Sequence, residues 1–292
     1  MSGGQGRAPL RNPTTLAGAA LLLLVALAAL FAPLLGTIDP TRIEPAMRNR
    51  KPGAEMTFRA EDGMRISRVA PFGTDAVGRD IYSRVLHGGR VSLFVGIAVA
   101  TLSIAMGLGL GLAAGYVRAI DPIVMRMMDG LMAVPGIMVA IGLVAVLGPG
   151  LTTVIFAIVV PDIPRVARLV RAIVLSAREA AHVEAAVSVG TPPLKLLRRH
   201  ILPRTFAPLI VQGSFICASA MLVEATLSFL GIGMDPDIPS WGNIMAEGRA
   251  LFLVQPQNIL FPAIALAVTV LSINLLGDGL RDALDPRLRR AV

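Results

Sequence analysis

The side chains able to do chemistry are few in this chain, and their spacing argues against most chemistries. A single cysteine, Cys217, lies inside an apolar run. It can join neither an intrachain disulfide nor a Cys-pair zinc site, and it reads as a small buried hydrophobe. His87, His182 and His200 are dispersed and give no metal-ligand spacing. There is no GxxxxGK[ST] phosphate loop, no HExxH and no GxSxG. The run Gly107-Leu-Gly-Leu-Gly looks superficially like a nucleotide loop, but it sits in an apolar stretch with no strand before it. Gly107, Gly111 and Gly115 recur every fourth residue, which places them on one helix face where two backbones can approach closely in lipid. Glu224 and Asn274 interrupt apolar stretches. An acid in lipid costs roughly 2.5–3.5 kcal/mol at mid-membrane. Both are therefore candidates for a translocation path, with an interhelical hydrogen bond as the equal alternative. Asp129 is expected to pair with Arg126 at a membrane surface. Trp241 is expected to anchor at the membrane interface.

The elements that carry these residues are apolar and long. The chain has 292 residues, is 54% hydrophobic and only 16% charged, with 4% aromatics and a mean hydropathy of +0.71. A soluble domain usually carries about 25% charged residues, and a large soluble core uses more aromatics. A spanning helix needs about 20 mostly apolar residues. Segments 14–36, 91–117, 127–148, 151–174, 206–229 and 257–279 meet that test, which predicts an all-α membrane protein with six transmembrane helices. The first segment is too long for a secretory signal core and lacks a clear cleavage site, so it reads as a retained span.

The net charge of +8 does not imply a nucleic-acid partner, since no basic patch interleaves with aromatics. The basic residues flank spans instead and set orientation. Arg165, Arg168, Arg171, Arg178, Lys195, Arg198, Arg199 and Arg204 fall between or beside the fourth and fifth spans, on the same side as both termini. The short connection after the fifth span carries Arg249 against Asp235, Asp237 and Glu247. Both termini are accordingly expected in the cytoplasm, with 1–13 and 281–292 as cytoplasmic ends.

Two features modify the spans. Pro161 and Pro164 are expected to kink the fourth span or end it early. The outer loop 37–90 should close on a short helix over Asp80–His87. Thr74 and Asp75 are its candidate caps, Asp80 pairs with Arg84 at i,i+4, and Gly88-Gly89 stops it.

The most informative stretch is Ala177–Pro203, reading AREAAHVEAAVSVGTPPLKLLRRHILP. It is far longer than a plain connector. Strong helix formers open it, Gly190-Thr191-Pro192-Pro193 forces a turn, and Leu194–His200 can form a second short helix. A cytoplasmic helix-turn-helix over 177–204 follows from this pattern alone.

Glu184-Ala185-Ala186, then Gly190, then Leu202-Pro203, resembles the EAA loop of bacterial ABC importer permeases, although His200 stands where that motif has an Ile. Phe72-Gly-Thr-Asp-Ala-Val-Gly-Arg-Asp80, Leu227-Ser-Phe-Leu-Gly-Ile-Gly233 with Pro239-Ser-Trp-Gly242, and Leu275-Leu-Gly-Asp-Gly-Leu-Arg-Asp-Ala-Leu-Asp-Pro286 resemble the C-type permeases of dipeptide, oligopeptide and nickel importers. The resemblance covers roughly residues 70–290.

It implies a type I importer-like fold in the bacterial inner membrane, with a five-helix permease core over 91–280. It also implies coupling to a separate ATPase through Glu184, Ala185, Ala186, Gly190, Leu202 and Pro203. The chain itself would be no enzyme and hold no cofactor, with ATP and Mg bound by two partner ATPase subunits. Six spans are few for a full pore, so a second permease would complete a heterodimeric one, and an external solute-binding protein would deliver substrate. The alternatives are a stand-alone secondary transporter and a membrane-embedded enzyme. The first should show paired mid-membrane charges and an internal repeat, and the second should show gathered acids or a catalytic motif; neither pattern is evident.

Overall fold

The computed structural model describes residues 13–59 and 65–284. The expected terminal segments 1–13 and 281–292 lie for the most part outside the described residues. Helix α1 (Pro13–Leu30) is followed by a hairpin of β1 (Ala54–Arg59) and β2 (Arg65–Ala70). Then come α2 (Ile81–Tyr116), α3 (Asp121–Met132), α4 (Gly136–Leu147), α5 (Leu151–Arg178), α6 (Ala181–Ser188), α7 (Pro193–Leu196), α8 (Leu202–Phe229), α9 (Trp241–Gly248) and α10 (Gln257–Leu284).

Four helical runs are long and apolar enough to cross a membrane: α1, α2, the run from α7 through α8, and α10. The bent pair α3–α4 makes a fifth if taken as one span. Helix α5 has 28 residues, about 42 Å at 1.5 Å per residue. It falls short on composition, because Asp162, Arg165, Arg168 and Arg171 crowd its middle.

The expected single helix over 127–148 is instead two helices meeting at 85°. Pro135 stands at the break; it lacks an N–H and drives Val134 away from helical geometry. Each half has 12 residues, about 18 Å, well short of a hydrocarbon core of about 30 Å. By contrast α5 runs unbroken through Pro161 and Pro164. Two hydrogen bonds are forfeited there, but Val154, Ala157, Val166, Ala167, Val170 and Val174 are all fully buried, and this packing holds the helix together.

Small residues set the helix contacts, as expected where lipid removes the hydrophobic drive for association. Gly111 and Gly115 on α2 face Val170 and Val174 on α5, where an added Cβ would lie 2.6 and 2.7 Å from each valine Cβ. Gly107 faces Val166 in the same way. Both residue numbers rise together, so α2 and α5 run parallel. Gly96 on α2 meets Cys217 and Met221 on α8, whereas Gly213 meets Ile104, so α8 runs antiparallel to α2. Gly18 on α1 abuts Leu275 and Ser272 on α10, and Gly279 abuts Thr15, so these two are also antiparallel.

The N-terminal end of α2 is built as a clamp. Asp80 caps the helix, its Oδ2 accepting from the Ser83 N–H at 3.1 Å. The expected Asp80–Arg84 pair does not form. Arg84, 1% exposed, donates to Asp75 at 2.7 Å and to Glu247 on α9 at 3.1 Å. Arg79 joins the same two acids, reaching Asp75 at 2.6 Å. Asp75 therefore organises the turn to Arg79 rather than capping a helix. Thr74 bonds the backbone of Arg50 and Met47 instead of acting as a cap.

Gly88 and Gly89 do not stop the helix. A Cβ at Gly88 would lie 3.0 Å from the Pro239 carbonyl oxygen, and one at Gly89 would lie 3.1 Å from both Ala29 and the Trp241 ring. The two glycines let α1 and the segment entering α9 close against α2. Trp241 is 2% exposed. Its Nε1 donates to the Val85 carbonyl at 2.9 Å and its backbone N–H reaches Ser92 Oγ at 3.2 Å. It is a core residue of this end rather than an interfacial anchor. Arg90 closes the end of α1, donating to the carbonyls of Ala29 and Leu30 at 2.6 and 2.8 Å. The hairpin β1–β2 pairs antiparallel from Ala54 with Ala70 to Arg59 with Arg65 and packs Met56 and Ala70 against Ile38 and Met47.

Candidate coupling loop and translocation groove

At the opposite end, α2 and α5 finish together. Arg178, in the last turn of α5, donates to the carbonyls of Gly115 and Tyr116 at 3.1 Å each, and its guanidinium lies 5.7 Å from the Tyr116 ring centre. A cation there meets the negative end of the α2 dipole. Helix α6 starts directly beyond this joint. It is held by Val183, 1% exposed, while Leu196 and Ile201 anchor the return segment at 4% and 0%.

The turn between α6 and α7 follows from its residues. Gly190 adopts φ +78°, a left-handed conformation that glycine takes without steric cost. The Thr191 N–H then reaches back to the Ala186 carbonyl at 3.0 Å and closes the helix end. Pro192 and Pro193 start the second arm, α7, which passes through a π-turn over Leu197–Ile201 into α8.

The sequence-predicted residues are placed as follows. Glu184, Ala185 and Gly190 are exposed on the outer side of this loop, and Ala186 is half-buried. Leu202 is half-buried and Pro203 exposed in the first turn of α8, apart from the tip. The structure adds three residues that the sequence analysis did not single out. Val187, Val189 and Leu194 are 57%, 81% and 67% exposed around the same turn. Their signal in the sequence is three apolar side chains flanking a glycine-proline turn, where a solvated loop would carry polar ones. His182 and His200 come within 6.1 Å, ring centre to ring centre.

Glu224 is fully buried. Its Oε1 accepts from Ser228 on α8 and from Ser240, the cap of α9, each at 2.9 Å. Glu224 thereby ties α8 to the start of α9.

Asn274 lines a cavity of about 270 Å³ between α5, α8 and α10, together with Arg165, Gln212, Phe215 and Ser219. Gln212 and Phe215 also line a second hollow of about 940 Å³ that reaches Arg204 and Arg281, so the two lie side by side along α8. Pro203 lines that lower part.

The arginine ladder of α5 is paired rather than free. Arg171 donates to Asp121 at 2.5 and 2.6 Å, and Arg168 pairs with Asp129. Asp129 thus bonds across to α5 and not to Arg126. Arg165 reaches Asp162 at 3.1 Å.

Residues 105–290 match the family described as binding-protein-dependent transport system inner membrane component. The chain is 48% identical over 280 residues to a probable peptide ABC transporter permease of Sinorhizobium fredii, covering 96% of this chain and 91% of that protein. It is 38% identical to a dipeptide transport system permease of Alkalihalophilus pseudofirmus, covering 96% and 88%. It is 45% identical to a glutathione transport system permease of Escherichia coli, covering 75% and 72%. Among solved structures it is similar to the MetNI methionine ABC transporter in inward-facing conformations, with a TM-score of 0.55 at 18% identity over 69% of this chain and 96% of that one. An amino acid ABC transporter also gives 0.55, at 16% identity over 69% and 94%.

Proposed function

This chain belongs to the family of binding-protein-dependent transport system inner membrane components, and from that premise we propose that it forms half of the membrane pathway of a peptide importer and is driven through the α6–α7 loop. It is a permease subunit of a binding-protein-dependent ABC importer.

The observation that carries the coupling role is the loop tip. Val187, Val189 and Leu194 are exposed beside small Ala185 and the sharp turn at Gly190. Apolar side chains at a rigid, protruding turn are suited to a groove on another protein. Glu184 adds one carboxylate for an ion pair or hydrogen bond at the rim. ATP and Mg belong to two ATPase subunits, which seat this tip. Their closure pushes α6, and Arg178 passes the movement to the joined ends of α2 and α5.

The same reading takes α5 as a span, giving six. It runs parallel to α2 along three successive glycine–valine contacts, so it crosses wherever α2 crosses. The α3–α4 pair provides the remaining bent span. Both termini and α6–α7 lie in the cytoplasm of a bacterial cell, and α9 with the hairpin lies outside. A second permease closes the groove between α5, α8 and α10. A solute-binding protein docks outside and delivers peptides or related small solutes, as the names of the relatives suggest.

Co-purification of the tagged chain from its native membrane tests this. A second permease and ATPases should accompany the wild type, and Val189→Asp should shed the ATPases. The side chain of Val189 is 81% exposed, so the substitution costs the isolated chain little. A chain that purifies alone, or a variant that keeps its ATPases in full, overturns the coupling role.

A further inference from the structure

We propose that Arg165 is the substrate-reading residue of the groove, holding the carboxylate of a passing peptide against the Gln212, Ser219 and Asn274 side chains. The proposal rests on the importer reading above and goes beyond it by assigning a subsite and a chemical class.

Arg165 lies at the midpoint of the 28-residue α5, about 20 Å from either end. Arg168 and Arg171 lie nearer the end that α2 shares, and each is matched by an acid of α3. Arg204 and Arg281 lie near helix ends, where flanking arginines orient spans. Position explains none of this for Arg165. A charge at mid-span is costly unless it faces water or a partner, yet this side chain is 58% exposed. It opens into the cavity of about 270 Å³.

Three polar groups converge there from two other helices. Gln212 and Ser219 belong to one stripe of α8 that also carries Phe215, and Asn274 comes from α10. Among the described residues, neither this cavity nor the hollow beside it is lined by an Asp or Glu. All charges that line them, Arg165, Arg204 and Arg281, are positive.

The nearby acid is Asp162, one turn back on α5, with its side chain only 9% exposed. It takes one hydrogen bond from Nη1 at 3.1 Å. A guanidinium carries five N–H donors in a planar fork. The remaining donors can take a carboxylate in the bidentate geometry that arginine favours. Asp162 holds the guanidinium in place between substrates, and the two amides offer both donors and acceptors to the peptide backbone behind the carboxylate, while Ser219 Oγ, which donates to the Ile216 carbonyl at 3.1 Å, offers an acceptor. The apolar wall of Phe215 leaves side-chain identity largely unread, which suits a path that must pass many peptides.

The assembled transporter in membrane vesicles, with Cys217→Ala and Ser219→Cys, provides the test. Anionic and cationic methanethiosulfonates of similar size are the probes. A groove held positive by Arg165 should react roughly tenfold faster with the anionic reagent, as expected where a cleft of one sign concentrates counter-ions. Arg165→Gln should remove most of that preference, leaving only what the more distant Arg204 and Arg281 contribute, and Arg165→Lys should keep it. Equal rates with Arg165 present, or no modification by either reagent, overturn the site.

Transport then tests the class. Arg165→Gln should lose uptake of a dipeptide with a free C-terminal carboxylate relative to its C-terminal amide, while ATP hydrolysis persists. An unchanged ratio of acid to amide overturns carboxylate reading. Loss of the ATPases from the wild-type complex would instead strike at the importer reading and leave the labelling result standing.

Discussion

Gly111 on α2 sits so close to Val170 on α5 that a methyl group added to the glycine would lie 2.6 Å from the valine Cβ. The same methyl would lie 2.6 Å from the Ala167 carbonyl oxygen. That carbonyl is backbone and cannot swing aside as a long side chain could. The two helices must part for any larger residue, and the parting would spread to the contacts at Gly107 and Gly115. Gly111→Ala should therefore destabilise the subunit by about 1–3 kcal/mol, the usual range for overpacking. Gly109→Ala is the matched control, because a Cβ there meets nothing within 4 Å. Thermal unfolding in detergent should show a lower midpoint for the first variant and not for the second. Equal midpoints would mean that α2 and α5 are less tightly packed than described.

Arg84 bridges Asp75 and Glu247 with 1% of its side chain exposed. Removing a buried charge strands its partners, at a cost of about 3–5 kcal/mol. Arg84→Met should sit in that range and should free the segment before α2. Trypsin cleavage near Arg48, Arg50 and Lys51 is the sensitive readout. Glu247→Gln should cost less, since Asp75 still faces Arg84 and Glu247 is itself 25% exposed. A Glu247 variant more damaging than the Arg84 variant would show that the network is organised around the acid instead.

Trp241 is the chain's one tryptophan, so its fluorescence reports a single site. A ring buried to 2% and bonded through Nε1 to Val85 should emit at short wavelength. It should resist quenching both by iodide and by brominated lipid. An interfacial tryptophan would be quenched by the lipid. Trp241→Phe leaves the Val85 carbonyl short of that donor, with an expected cost of about 1–3 kcal/mol.

The tryptophan also marks where the sequence stops being readable. Apolar runs and the alanine-rich start of the α6–α7 loop are legible, because hydropathy and helix propensity are local properties. Gly88-Gly89 reads as a helix stop for the same local reason: glycine costs a helix about 1 kcal/mol relative to alanine. The structure shows a non-local reason to accept that cost, the close approach of Pro239 and Trp241. Asp80 and Arg84 are four apart and suit each other by spacing, yet Arg84 chooses an acid 163 residues away. The break before Pro135 is invisible to hydropathy, because the apolar run continues across it. By spacing alone Arg165 is one of three arginines along α5, and only the position of α8 and α10 shows that it opens into a groove.

Gly190 allows the shape of the α6–α7 loop to be separated from its proposed docking. Its φ of +78° imposes strain on side chains other than glycine, and a Cβ there would meet nothing within 4 Å of the chain itself. Left-handed geometry costs an ordinary L-residue about 1–2 kcal/mol. Asparagine tolerates that region better than most residues. Gly190→Asn should then leave the unfolding midpoint close to wild type, whereas Gly190→Val should lower it. If the tip seats in a groove that accepts only small side chains, both variants should release ATPase on purification, the asparagine variant without any loss of stability. An asparagine variant that stays stable and keeps its ATPase in full would show that Gly190 serves the turn alone and that the contact is made elsewhere on the loop.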